Sequence, residues 1–246
     1  VGAFSGAFGV GGGILLVPFL VLVRKVPQKQ AQATSLVLVA MAAAAGTVRY
    51  ALTGEVAWLP SAIIIVGGLG GAWLGTNLVQ RSPSGLLQAL FGGILMIAGI
   101  RMLWADGSAA DSTAALPELT LGLTAGYIAA GLGMGLLSSL FGVGGGILLI
   151  PILVAGFGYG QHLAAGTSLA VMVPTALVGA IRLTRPGFTQ WREGSRYGLG
   201  AIVGALVGAS IALAISGSAI QAAFGVLMLM VGAQMTWRAW RSRRTE

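Results

Sequence analysis

Two stretches decide the fold: "FGVGGGILLVPFLV", from Phe8 to Val21, and "FGVGGGILLIPILV", from Phe141 to Val154. Each places three consecutive glycines inside a segment otherwise built from Leu, Ile and Val. Gly9 and Gly142 are 133 residues apart, and the same offset runs through the whole chain. It pairs Pro18 with Pro151, Thr34-Ser35 with Thr167-Ser168, Gly46 with Gly179, Arg49 with Arg182 and Trp58 with Trp191. Gly67, Gly71 and Gly75 fall on Gly200, Gly204 and Gly208, and Trp104 falls on Trp237. No gap is needed, so the chain is an internal duplication. The second copy has a lead-in, "TLGLTAGYIAAGLG" (Thr120–Gly133), whose counterpart would precede Val1. A longer natural N-terminus is therefore expected.

Of the 246 residues, 56% are hydrophobic and only 8% are charged. Mean hydropathy is +0.91. A soluble domain carries about 25% charged residues, so this composition reads as an all-α polytopic membrane protein. Apolar runs occupy 1–23, 31–53, 59–80, 84–104, 119–157, 164–184, 195–215 and 217–237. Most are near the ~20 residues that cross a bilayer as a helix. The run at 119–157 is too long for one crossing and is interrupted by glycines. The division that follows is a first repeat at 1–104, a linker at 105–118 and a second repeat at 119–246 with a basic tail. The absence of cysteine excludes disulfides and thiolate metal sites. The net charge of +8 does not point to nucleic acid, because the basic residues sit at segment ends and in "RAWRSRRTE".

Charge also speaks to orientation. "RKVPQK" (Arg24–Lys29) is basic, whereas its counterpart "FGYGQH" (Phe157–His162) has no Lys or Arg. The linker from Asp106 to Glu118 is acidic, whereas its counterpart, the tail after Trp237, is strongly basic. The Arg49–Trp58 connection has one Arg and one Glu; its counterpart and the residues just after it hold Arg182, Arg185, Arg192 and Arg196. The positive-inside rule then puts paired loops on opposite faces of the membrane. The expectation is two inverted-topology repeats with a cytoplasmic C-terminus, each built from about three transmembrane helices and one re-entrant, glycine-broken segment.

A continuous helix through GVGGG is disfavoured, since each Gly costs about 1 kcal/mol relative to Ala in a helix interior. In lipid, a broken helix is tolerated only where protein or a watery cavity surrounds it. The lead-in helices should stop near Gly9 and Gly142, and short helices should restart near Ile14 and Ile147. The 11 residues from Gly13 to Arg24 span roughly 16 Å of helix, which places the glycines near the bilayer midplane. Freed N–H groups at a helix N-terminus attract anions. Gly11, Gly12, Gly13, Gly144, Gly145 and Gly146 are thus candidate anion-binding residues, against the alternative of close helix packing.

"FGVGGGILLVPFLV" followed by "AQATSL", and "FGVGGGILLIPILV" followed by "AAGTSL", resemble the sulfite exporter TauE/SafE family of bacterial membrane transporters. The resemblance covers nearly the whole chain. It implies an inner-membrane protein that moves small sulfur-containing anions such as sulfite, sulfoacetate or other organosulfonates.

Thr34, Ser35, Thr167 and Ser168 could donate hydroxyls to a bound oxyanion; capping and back-bonding are the plainer alternative. Arg49 and Arg182 lie 15 residues further on, about 22 Å along a helix. They read as snorkelling anchors, or as cations drawing anions into a vestibule. Trp58, Trp104, Trp191 and Trp237 read as interfacial belts. His162, the sole histidine, is placed in a loop. Glu55, Asp106, Asp111, Glu118, Glu193 and Glu246 are all placed in loops or termini, which argues against a carboxylate proton relay. A coupling proton would travel on the substrate, and a sodium ion would need unwound carbonyls.

The reading is a secondary transporter exporting a small oxyanion by alternating access, with lipid as its surroundings and a homodimer as one assembly. It needs no cofactor, metal or nucleic acid. An anion channel, a transporter of another small carboxylate or oxyanion, and a non-transporting anchor subunit are the alternatives. No His/Asp/Glu cluster or Ser–His pair at depth suggests an enzyme.

Overall fold

The computed structural model describes residues 1–79, 84–104, 120–142, 144–185 and 187–242. The acidic linker with Asp106, Asp111 and Glu118, and the end of the tail with Glu246, lie outside the described residues. Within them the chain is helical throughout, with no strand. The first copy comprises α1 (Gly2–Phe8), α2 (Gly13–Leu22), α3 (Gln28–Ala51), α4 (Trp58–Val79) and α5 (Ser84–Trp104). The second comprises α6 (Leu121–Phe141), α7 (Gly146–Pro151), α8 (Gln161–Thr184), α9 (Trp191–Leu213) and α10 (Gly217–Ser242). Beyond Pro151, α7 continues as a π-helical turn, Ile152–Gly156.

Six of the described helices are long and apolar enough to cross a bilayer, in α3, α4, α6, α8, α9 and α10. At 1.5 Å per residue, the 21 residues of α6 span about 31 Å. The long apolar run resolves as expected into α6, a break and α7. Two smaller expectations change. α8 and α9 begin three to four residues earlier than the hydropathy runs suggest. His162 is therefore the second residue of α8, and Glu193 lies in the first turn of α9 rather than in a loop. Polar residues in a first turn do not break a helix, but they hide its start from a hydropathy reading.

The two copies interleave. The most extensive helix contacts, α4 with α6, α5 with α10, α3 with α9, α1 with α9, α3 with α8 and α4 with α8, all join one copy to the other. Small residues let these backbones approach. A Cβ at Gly71 would overlap the Leu132 carbonyl, and one at Gly208 would overlap that of Ala3. Contacts also recur with the copies exchanged: Gly46 packs against Leu169, and Gly179 against Leu36. That exchange is the relation a two-fold axis produces. It also makes α3 and α8 run antiparallel. The backbone is duplicated in the same way. Gly9, Gly11, Gly12, Lys25 and Gly54 have positive φ, and so do their counterparts Gly142, Gly144, Gly145, Gly158 and Gly187.

Candidate functional site

Each glycine motif is a helix break of defined shape. α1 stops at Phe8, and the Gly9 N–H closes on the Ser5 carbonyl at 2.9 Å with φ 69°. Gly11 and Gly12 are both left-handed at φ 73°, a region that costs other L-residues about 1–2 kcal/mol. α2 then starts at Gly13. Its first bonded N–H groups are those of Leu15 and Leu16, both to the Gly12 carbonyl at 3.2 Å. The N–H groups of Gly13 and Ile14 thus carry none of the helix's bonds, and they stand at its positive end. The second copy repeats this. Gly142 caps α6 on the Ser138 carbonyl, Gly144 and Gly145 turn left-handed, and Leu148 and Leu149 bond the Gly145 carbonyl.

The breaks meet at the centre. Gly11 and Gly144 lie against the same two side chains, Val39 of α3 and its counterpart Met172 of α8. A Cβ at Gly146 would strike the Gly9 carbonyl oxygen. All six candidate glycines are buried.

Thr34, Ser35, Thr167 and Ser168 are buried as well, at 0–2% exposure. Every one of them bonds to backbone of the opposite copy. Ser35 Oγ lies 2.5 Å from the Gly142 carbonyl and 2.7 Å from that of Gln32. Ser168 Oγ donates to the Gly9 carbonyl at 3.1 Å. Thr167 Oγ1 accepts the Ala57 N–H at 3.0 Å, and Thr34 Oγ1 accepts the Gln190 N–H at 3.3 Å. The hydroxyls therefore hold the breaks in place, and the starts of α4 and α9 as well.

Residues 1–102 and 127–246 match the family described as "Sulfite exporter TauE/SafE".

The chain belongs to the TauE/SafE family.

Relatives called "Probable membrane transporter protein" in two Xylella fastidiosa strains are each 29% identical over 245 residues, covering 98% of this chain and 93% of the relative. The "Probable membrane transporter protein YdhB" of Bacillus subtilis is 26% identical over 211 residues, covering 85% of each chain. No solved structure matches the chain. Membership makes this TauE/SafE chain a multi-pass membrane protein of a transporter family, with a role in transport rather than catalysis.

The two ends of this TauE/SafE chain differ. At one end a cavity of about 270 Å³ is lined by Leu20, Arg24, Val26, Thr34, Gln190, Glu193 and Tyr197. Thr34 thus stands in the wall of a vestibule. Glu193 is held by Arg196 at 3.1 Å. Lys29 Nζ lies 5.9 Å from the Phe188 ring, and Gln30 meets Gln190 at 3.5 Å, so the α2–α3 and α8–α9 turns share this end. Their cations, Arg24, Lys25, Lys29, Arg185, Arg192 and Arg196, gather there. A second, apolar cavity of about 380 Å³ lies between α1, α2, α3 and α9.

At the other end, Tyr127 and Tyr159 share a hydroxyl hydrogen bond of 2.9 Å, and the Phe157 ring packs 4.6 Å from Tyr127. Burial first, and the Tyr127 hydroxyl second, hold the Tyr159 phenol above its ordinary range. Arg49 Nε donates to Ser210 Oγ at 2.9 Å at this end, whereas its counterpart Arg182, in the last turn of α8 at the first end, lies 4.8 Å over the Trp73 ring. His162 Nε2 lies 3.1 Å from the Ala212 carbonyl. Across the two ends, Trp58 and Trp191 open their helices and Trp104 closes its own, all exposed, as a belt requires. Sequence reasoning singled out the motif and the Thr-Ser pairs but passed over Ser5 and Ser138, although the same offset pairs them.

Proposed function

We propose that the chain is a secondary transporter that exports small sulfur-containing oxyanions, of the sulfite or organosulfonate type, from a bacterial cell. The observation that carries this reading is the meeting of two glycine-broken helix starts at the buried centre. Each offers N–H groups without helical partners and a positive helix end, which suits an anion held away from water. Gly11–Gly13 and Gly144–Gly146 bind it. Thr34, Ser35, Thr167 and Ser168 keep the breaks shaped for it, and Arg49 and Arg182 stand toward opposite ends.

The repeats are inverted in the membrane in this reading. The antiparallel run of α3 and α8 supports it, and so does the gathering of six cations at one end. That end and the C-terminus then face the cytoplasm. Alternating access follows from one repeat rocking against the other around the central anion. Coupling runs through the substrate's own proton, or through a sodium ion held by carbonyls of the breaks.

Thermal unfolding of the purified chain with sulfite, sulfoacetate, taurine and sulfate at matched ionic strength tests the site. A ligand at a hundred times its Kd adds about 2.7 kcal/mol of stability. Selective stabilisation by a sulfonate or by sulfite is expected; equal effects from all four, or none, would remove the oxyanion site. Counterflow of labelled anion in liposomes separates alternating access from a channel: internal unlabelled anion should accelerate uptake.

A further inference from the structure

Resting on the anion reading above, we infer that Ser5 and Ser138 are direct ligands of the substrate. Each hydroxyl donates to an oxygen of the anion held at the neighbouring glycine break.

Both side chains are sealed off, at 0% and 1% exposure, and neither Oγ has a hydrogen-bond partner. Helical hydroxyls usually return to a carbonyl one turn back. Ser61, Thr47 and Thr184 do so in this chain, at 2.7–2.9 Å. Ser5 and Ser138 do not. A buried hydroxyl left unpaired is costly, and here the cost is carried twice, at positions related by the duplication.

The location is specific. Each serine is one turn before the residue that caps its helix, and its carbonyl accepts that cap's N–H. A Cβ on Gly12 would lie 3.3 Å from the Ser5 Cβ. The Ser5 side chain therefore packs against the N-cap of α2, a ten-residue helix, beside the Gly13 and Ile14 N–H groups, which carry none of the helix's bonds. Gly145 packs correspondingly against Met134, the counterpart of Val1. Ser138 is the counterpart of Ser5, and its own break leads into the helical run Gly146–Gly156. Around an anion held between the breaks, two hydroxyls and two sets of N–H groups would make a neutral donor cage. Such a cage fits a compact group with several equivalent oxygens, such as sulfite or a sulfonate.

Alanine removes only the orphan hydroxyl, so ligand and structural roles separate. The test uses the full chain in nanodiscs as wild type, Ser5→Ala, Ser138→Ala and the double variant. Unfolding temperature without ligand is measured first, then titrations with sulfite and with sulfoacetate. The expected result is an unchanged or slightly raised unfolding temperature, with affinity about tenfold weaker in each single variant and about a hundredfold weaker in the double. Wild-type affinity in the double variant would overturn the role of the serines while leaving the anion site standing. A lowered unfolding temperature without ligand would also overturn it, by making the hydroxyls structural. Silence of the wild-type chain toward both probes would overturn the anion reading, and this inference with it.

Discussion

The Thr34 end and the Thr167 end carry the same hydrogen bond in different surroundings. At the Thr34 end, Arg24, Val26, Gln190, Glu193 and Tyr197 line an open cavity. Their counterparts at the other end are Phe157, Tyr159, Ala57, Pro60 and Ile64. Of these, Tyr159, Ala57 and Ile64 are 0–3% exposed. Duplication kept the backbone and its crossing hydroxyls, while the side chains around them diverged. One end opens into a cavity; the other is closed by packed rings. The scaffold is therefore symmetric where it shapes the breaks, and asymmetric where it meets the outside.

The largest effects should come where the two ends are alike. Gly9→Ala and Gly142→Ala each force a side chain onto a left-handed residue and into backbone, at Ala165 and Gln32 respectively. Each should lose about 2–4 kcal/mol, measured by denaturant or thermal unfolding. The controls Gly54→Ala and Gly187→Ala, left-handed but in open space, should lose only about 1 kcal/mol. A large difference between Gly9→Ala and Gly142→Ala would break the equivalence of the copies.

Next, the shared hydrogen bond should differ in worth. Thr167→Ala strands the Ala57 N–H in a sealed site and should lose about 1–3 kcal/mol. Thr34→Ala leaves the Gln190 N–H at a cavity wall, where water can replace the hydroxyl, and should lose under about 1 kcal/mol. Equal losses would mean that the cavity does not admit water. Tyr159→Phe should lose about 1 kcal/mol by orphaning the Tyr127 hydroxyl, whereas the Tyr127→Phe, Tyr159→Phe double variant should return close to wild type. The smallest effect is expected at the open end. Arg24→Gln should leave unfolding unchanged and slow anion uptake by less than about tenfold at low salt. That deficit should vanish near 1 M salt, where the screening length is about 3 Å.

Much of this was legible because glycine and charge leave marks in sequence. Three glycines in an apolar run announce a break, and repetition at 133 residues announces a second. The Thr-Ser pairs were visible for the same reason, but not their partners. A hydroxyl's type says that it will bond, not whether it meets a ligand or a carbonyl 107 residues away. The start of α9 was hidden because Arg192 and Glu193 lower hydropathy without breaking the helix. Ser5 and Ser138 stayed unseen because a small polar residue in a helix looks ordinary until its partner is found to be missing.

The crossing bonds also have a consequence in time. The Gly9 carbonyl accepts its hydrogen bond from Ser168, 159 residues later. A ribosome adding about 5–20 residues per second needs roughly 8–30 s to deliver that serine. Until then the first break cannot close, and its backbone cannot rest in bare lipid. The centre thus stays incomplete until synthesis is well into the second copy. The first half, made alone, should remain a protease-sensitive intermediate until the second half is supplied.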